Sequence, residues 1–230
     1  MKTLRFPADR ILAQGANRIC VRDLQSEAHC LKYELPPAQR TRVGPRQRLR
    51  RWLARRMPAF GENRTELRAW RWLHARLGDS LARFVAPCDG IVDTREGPAL
   101  RCALVRDAGG KPARSLYAHL FESAGDASIE NASTPYRAAQ LCAAVDAFEA
   151  WLLQHGIPLF DLNSGNFVVV DDPAEACGVR LVCVDVKSIL DGREIVPVSR
   201  WIPRLRARKL RRRAERLRAR IRDRLAPSPD

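Results

Sequence analysis

Nowhere in the chain do eighteen apolar residues follow one another, and no apolar run follows Met1-Lys2. The first absence argues against a membrane-crossing helix and the second against a secretory leader. Among seven cysteines there is no Cys-x-x-Cys pair; the number is odd, and most sit in apolar contexts such as Val182-Cys183-Val184 and Leu141-Cys142-Ala143. They read as reduced core thiols, not as a disulfide framework or a metal knuckle, and a cytoplasmic location is expected. The four histidines are scattered, and neither His74 nor His155 has a ligand partner at i+4, which makes them helix-face residues. Lysine is scarce as well, with five against thirty-six arginines. Any lysine inside a strand-like run therefore stands out.

What is present is enough for a core: 230 residues, 46% of them hydrophobic, fit one large domain or two lobes. The net charge of +15 is unevenly spread. Residues 40 to 56 hold eight arginines and no acid, and residues 200 to 225 hold thirteen basic residues against Glu215 and Asp223. The rest of the chain is mildly acidic, so this is a near-neutral body carrying two basic appendages.

The run Asp161-Leu162-Asn163-Ser164-Gly165-Asn166 places an acid five residues before an amide, and Asp185 follows nineteen residues later at the end of Val182-Cys183-Val184. Phe167 to Val170 and Val179 to Val184 read as two short strands joined by a turn containing Asp171-Asp172-Pro173, a hairpin that would bring Asn166 and Asp185 to one end. Acid, amide and acid at this spacing suit phosphoryl transfer, which needs an oriented hydroxyl and neutralised phosphate charge more than covalent help from the protein. Asp161 would orient the hydroxyl, and Asn166 and Asp185 would offer oxygens to Mg²⁺, a hard cation. By composition alone the same residues also read as a polar turn and a strand-ending acid.

Asp161-Leu-Asn-Ser-Gly-Asn166 resembles the catalytic loop of protein-kinase-like enzymes. Over most of its length the chain resembles the YrbL family, proteins named for the PhoP regulatory network of Gram-negative bacteria and having a kinase-like fold. The likeness is carried by Glu66-Leu67-Arg68, by Asp107-Ala-Gly-Gly-Lys-Pro112, by the loop just described, and by Ser199-Arg-Trp201 before a basic helix. It implies an α+β, two-lobed kinase-like fold: an N-lobe over 1–106 of small antiparallel sheet plus helix with a basic insertion at 38–60, a mainly helical C-lobe over 107–198, and a basic C-terminal helix and tail over 199–230. ATP and Mg²⁺ are the implied cofactors. Gly15, in a strand-turn-strand from Ile11 to Val21, would lie over the phosphates, and the backbone from Leu104 to Asp107 would contact adenine, with Gly109 to Pro112 as a hinge between lobes.

Lys32, in Cys30-Leu31-Lys32-Tyr33, could reach the α- and β-phosphates, or be an outward-facing strand lysine. Its partner would come from a helix beginning near Glu62, on which Glu66, Trp70, Leu73 and Leu77 share one face. Glu66 heads that stripe as the family's lysine-pairing glutamate would; the helix dipole alone also favours an early glutamate, and Glu62 is the alternative partner. Phe84 to Asp93 and Ala99 to Val105 read as further strands, and Thr134-Pro135 would open a helix carrying Ala138, Leu141, Val145, Phe148 and Leu152.

Leu210, Ala214, Leu217, Ile221 and Leu225 recur at helical intervals among arginines, predicting an amphipathic helix over 203–225 with Pro203 in its first turn. Leu49, Trp52, Leu53 and Met57 give the first basic block a shorter apolar face. Three partners fit such elements: an anionic membrane surface, which would put the protein at the periphery of the inner membrane; nucleic acid; or the protein's own large lobe, with the charges solvated. Departures from the kinase pattern bear on the substrate. Leu159-Phe160 stands in place of His-Arg, Asp185-Val186-Lys187 lacks Phe-Gly, and Ser199 follows Asp185 by only fourteen residues, too few for an ordinary activation segment. The favoured expectation is a kinase-like phosphotransferase whose acceptor the sequence leaves open, a membrane-associated glycan, lipid or small molecule being one class that fits. The alternatives are a catalytically inactive pseudokinase module and a basic nucleic-acid-binding protein.

Overall fold

The computed structural model describes residues 4–40, 61–122, 136–190 and 198–226. The first basic block from residue 41 onward, with Leu49, Trp52, Leu53 and Met57, lies outside the described residues, as does Thr134-Pro135. The architecture is α+β: a five-stranded antiparallel sheet comes first and helices follow, ending in a long C-terminal one. No helix among the described residues is long and apolar enough to cross a membrane.

The chain forms two compact units, residues 1–82 with 86–104, and residues 83–85 with 105–230. In the first, strands β1 (Ile11–Gln14), β2 (Arg18–Arg22), β3 (His29–Glu34), β4 (Cys88–Thr94) and β5 (Gly97–Ala103) are ordered β1-β2-β3-β5-β4. Side-chain alternation divides the sheet cleanly. Ile19, Val21, Leu31, Tyr33 and Ala99 pack on one face with Phe6 and Ile11. Cys30, Cys88, Leu100 and Cys102 pack on the other with Leu67 and Trp70 of helix α1 (Glu62–Leu77). Because β3 is covered on both faces, it is buried from Cys30 to Tyr33.

The predicted strand from Phe84 to Asp93 divides in two. Phe84 and Val85 belong to the second unit, where the Cys183 amide donates to the Phe84 carbonyl (2.8 Å) and the Phe84 ring stacks on Trp151 at 4.8 Å; β4 starts only at Cys88, after Pro87. The second unit also holds a six-residue helix that periodicity did not reveal, α2 (Leu116–Phe121), capped by Ser115 Oγ accepting from the Ala118 amide at 3.0 Å. Helix α3 runs over Ala138–Gln154, and the Arg137 amide at its start donates to the Gln140 side chain at 3.0 Å. Strands β6 (Phe167–Asp171) and β7 (Val179–Cys183) form the expected hairpin.

After the short helix α4 (Val198–Trp201), α5 runs over Pro203–Leu225, as the apolar period predicts. Its stripe of Leu210, Ala214, Leu217 and Ile221 is buried, packed with α3. Arg218 ties the two helices by donating to Asp146 (2.6 Å) and Glu149 (2.7 Å). Gly156 ends α3 at φ +60, and a Cβ there would sit 2.9 Å from the Arg206 guanidinium. Glycine at this position thus serves both the left-handed turn and the close approach of α5.

Candidate functional site

In the first unit, β3 and α1 bring Lys32 and Glu66 together. The start of α1 is clamped to β3: the Asn63 amide donates to Glu34 Oε1 (2.9 Å) and Asn63 Nδ2 donates to the Lys32 carbonyl (2.7 Å). One helical turn on, Glu66 points at the sheet, and Lys32 Nζ donates to its Oε1 at 2.7 Å. Glu62, the alternative partner, instead accepts from Asn17 Nδ2 at 2.8 Å. Arg18 on β2 donates to Glu66 Oε2, a contact that sequence reasoning missed. Strand alternation carried the signal, because Arg18 lies two residues from Cys20, the cross-strand neighbour of Lys32. Burial works against the Lys32 ammonium, but its acidic neighbours Cys102, Glu66 and Cys88 more than offset that, holding its pKa well above the usual lysine value.

Gly15 lies in the exposed turn between β1 and β2, where its amide donates to the Arg18 carbonyl at 2.9 Å. Its φ is not left-handed, and a Cβ would meet only that carbonyl oxygen at 3.8 Å, so the hairpin itself does not demand glycine. Leu104 ends the first unit and Val105 begins the second stretch of the other. Much of the backbone expected to meet adenine is already paired: Leu104 N–H with Ala28 O (2.8 Å), Val105 O with Ala113 N–H (2.9 Å), and Asp107 N–H with Lys111 O (2.8 Å). The Asp107 carboxylate accepts from the Lys111 amide at 2.9 Å, bracing the Gly109–Gly110 loop.

In the second unit, the chain leaves α3 through Gly156 and the buried Ile157, Leu159 and Phe160, which fix the start of the polar loop. Asp161 is half-buried and its Oδ1 accepts from Asn163 Nδ2. Asn166 Nδ2 donates to the Asp161 carbonyl at 3.0 Å, closing the loop on itself. The hairpin register pairs Phe167 with Cys183, and the Val184 amide donates to the Asn166 carbonyl at 2.8 Å. The backbone therefore holds Asn166 and Asp185 at one end of β6–β7, as the strand pattern implies.

The Asp185 carboxylate is largely buried; Lys187 supplies its backbone amide to Oδ1 (3.2 Å) and its ammonium to Oδ2 (2.6 Å). The Asp185 carboxylate is thus already engaged by a side-chain cation. An all-oxygen set of Asn166 and Asp185, one charged and one neutral, fits Mg²⁺, which takes few protein ligands and keeps water or phosphate oxygens for the rest. In comparisons with known proteins the chain matches no family model, and no curated protein is significantly similar to it.

Proposed function

We propose that the chain is an ATP- and Mg²⁺-dependent phosphotransferase of kinase-like, two-lobed organisation, related to the YrbL family, working in the cytoplasm. The observation that carries this reading is the β6–β7 hairpin, which holds the loop from Asp161 to Asn166 and the strand-ending Asp185 at one end. The buried Lys32–Glu66 pair in the other unit supports it. Lys32, kept charged by Glu66, would bind phosphate oxygens, and Asp161 would accept a hydrogen bond from the acceptor hydroxyl and aim its lone pair at phosphorus. Bound Mg²⁺ would neutralise charge on the phosphates. Asn166 and Asp185 are the residues to hold it, and Lys187, displaced from Asp185, would be left beside the phosphates.

On α5 the buried apolar stripe turns Arg204, Arg208, Arg211, Arg212 and Arg216 outward, next to exposed Trp201, Ile202 and Leu205. A basic face beside an indole and aliphatic side chains suits an anionic membrane surface, and favours an acceptor that lives there, a lipid or glycan. Nucleic acid is the competing partner for the same arginines.

Thermal-shift titration with ATP tests the reading: stabilisation should require Mg²⁺ and vanish in Asp185→Ala, while transfer of γ-phosphate to a membrane extract should vanish in Asp161→Ala. A nucleotide-insensitive protein would end it. A second reading, a pseudokinase that binds nucleotide without transferring phosphate, is favoured by the Lys187–Asp185 ion pair, which competes for the metal position. Biological activity that survives Asp161→Ala would select it.

A further inference from the structure

Four of the seven cysteines meet on the α1 face of the first sheet, although 10, 58 and 14 residues separate them in turn. Strand order creates this. Cys30 on β3 is the cross-strand partner of Cys102 on β5, and Cys102 is the partner of Cys88 on β4, so three thiols form one row across three adjacent strands. Cys20, on β2, packs against the same cluster. The Sγ atoms of Cys88 and Cys102 are 2.7 Å apart, and both residues are almost completely buried. Glu66 reaches the pair from α1, and a carboxylate oxygen and the two sulfurs all lie within 4.8 Å of one another.

We propose that Glu66, Cys88 and Cys102 form a binding site for a thiophilic divalent cation of the zinc class, separate from the oxygen ligands of the second unit. Two sulfurs and one carboxylate oxygen are the donor set such a cation prefers, and they are a poor set for Mg²⁺ or Ca²⁺. With metal–sulfur bonds of about 2.3 Å, a tetrahedral centre needs its sulfurs roughly 3.7 Å apart, so the two thiols must separate by about 1 Å, within reach of side-chain rotation. The exchange balances: one dication enters, two sulfur–hydrogen bonds break, two metal–sulfur bonds form and two protons leave, so the buried site keeps its net charge. A carboxylate offers about four lone-pair directions, which lets Glu66 ligate while Lys32 and Arg18 remain on it as outer partners that orient it. The fourth position would fall to water or to Cys30, the next thiol of the row.

This site does not rest on the phosphotransferase reading, and its test uses no nucleotide. The reduced, metal-free full chain, titrated anaerobically with Co²⁺, should develop thiolate-to-cobalt charge-transfer absorption that saturates at one equivalent and is abolished by Zn²⁺. Cys88→Ser and Cys102→Ser should each remove it, Glu66→Gln should weaken Co²⁺ binding about tenfold or more, and Cys142→Ser and Cys177→Ser should leave it intact. Should the serine variants misfold, wild-type protein still decides: Zn²⁺ should shield Cys88 and Cys102, more than Cys142 or Cys177, from alkylation read by peptide mass spectrometry. No charge-transfer band, a band that survives in folded Cys88→Ser or Cys102→Ser, equal alkylation with and without Zn²⁺, or a Cys88–Cys102 disulfide in anaerobically purified protein would overturn the proposal.

Discussion

Both units of the protein contain a lysine–carboxylate pair of similar length, Lys32–Glu66 at 2.7 Å and Lys187–Asp185 at 2.6 Å, and the two are built in opposite ways. The first joins residues 34 apart through a strand and a helix, and its carboxylate side chain is 1% exposed. The second joins residues two apart around one turn, with the carboxylate side chain 12% and the lysine side chain 22% exposed. A buried pair made by tertiary structure is costly to break and slow to exchange, because losing one partner strands the other's charge away from water. A local, partly solvated pair gives up little when a competing cation arrives. That contrast fits the proposed division of labour, in which the first unit keeps a fixed ammonium and the second exchanges its ammonium for a metal ion.

The largest effect expected is from Glu66→Ala, which leaves Lys32 and Arg18 without their carboxylate and should cost about 3–5 kcal/mol in urea unfolding. A cost below about 1 kcal/mol would erase the contrast. Next, Asp185→Asn should leave stability in urea nearly unchanged yet abolish stabilisation by Mg²⁺-ATP, worth about 2.7 kcal/mol at a hundredfold excess over Kd; the readout is the shift in Tm.

A pH drop should separate the units. His119 on α2 has its pKa lowered to about 4, first by burial and then by the neighbouring Arg114. A histidine held neutral in the fold contributes stability that is complete above the unfolded value near 6.5 and is lost as pH falls from there toward 4. Hydrogen exchange at pH 5 should therefore speed up around α2 in the second unit while β3 stays protected, and His119→Gln should flatten the response. The smallest effect expected is from Lys187→Ala: removing the competing ammonium should lower the Mg²⁺ concentration at half-saturation by about threefold to tenfold, on the order of 1 kcal/mol. A rise instead would mean that Lys187 serves the phosphates more than it blocks the metal.

How far each feature could be read in advance depended on how local its cause is. Helix α5 was legible to its ends because a 3.6-residue apolar period and a first-turn proline are properties of consecutive residues. The same holds for β6–β7 and the two metal-ligand candidates at its end, since hairpin pairing follows from two short apolar runs and a turn. Phe84–Val85 misled because an apolar run records burial but not which unit buries it; these residues pair with Cys183, nearly a hundred positions away. Helix α2, at six residues, is too short for a period to register. Arg18 on Glu66 required the β2–β3 register, which fixes the face a side chain takes but is not written in either strand alone.

The amino-acid order by itself determined the long amphipathic helices and the β6–β7 hairpin, where charge would concentrate, and that an acid, an amide and a second acid would flank that hairpin, because each of these follows from neighbours along the backbone. Only the tertiary structure decided that β5 would lie between β3 and β4, and with it the row of Cys30, Cys102 and Cys88 beneath Glu66. Strand order is chosen by burial of both faces of the sheet at once, a collective property of side chains far apart in the chain.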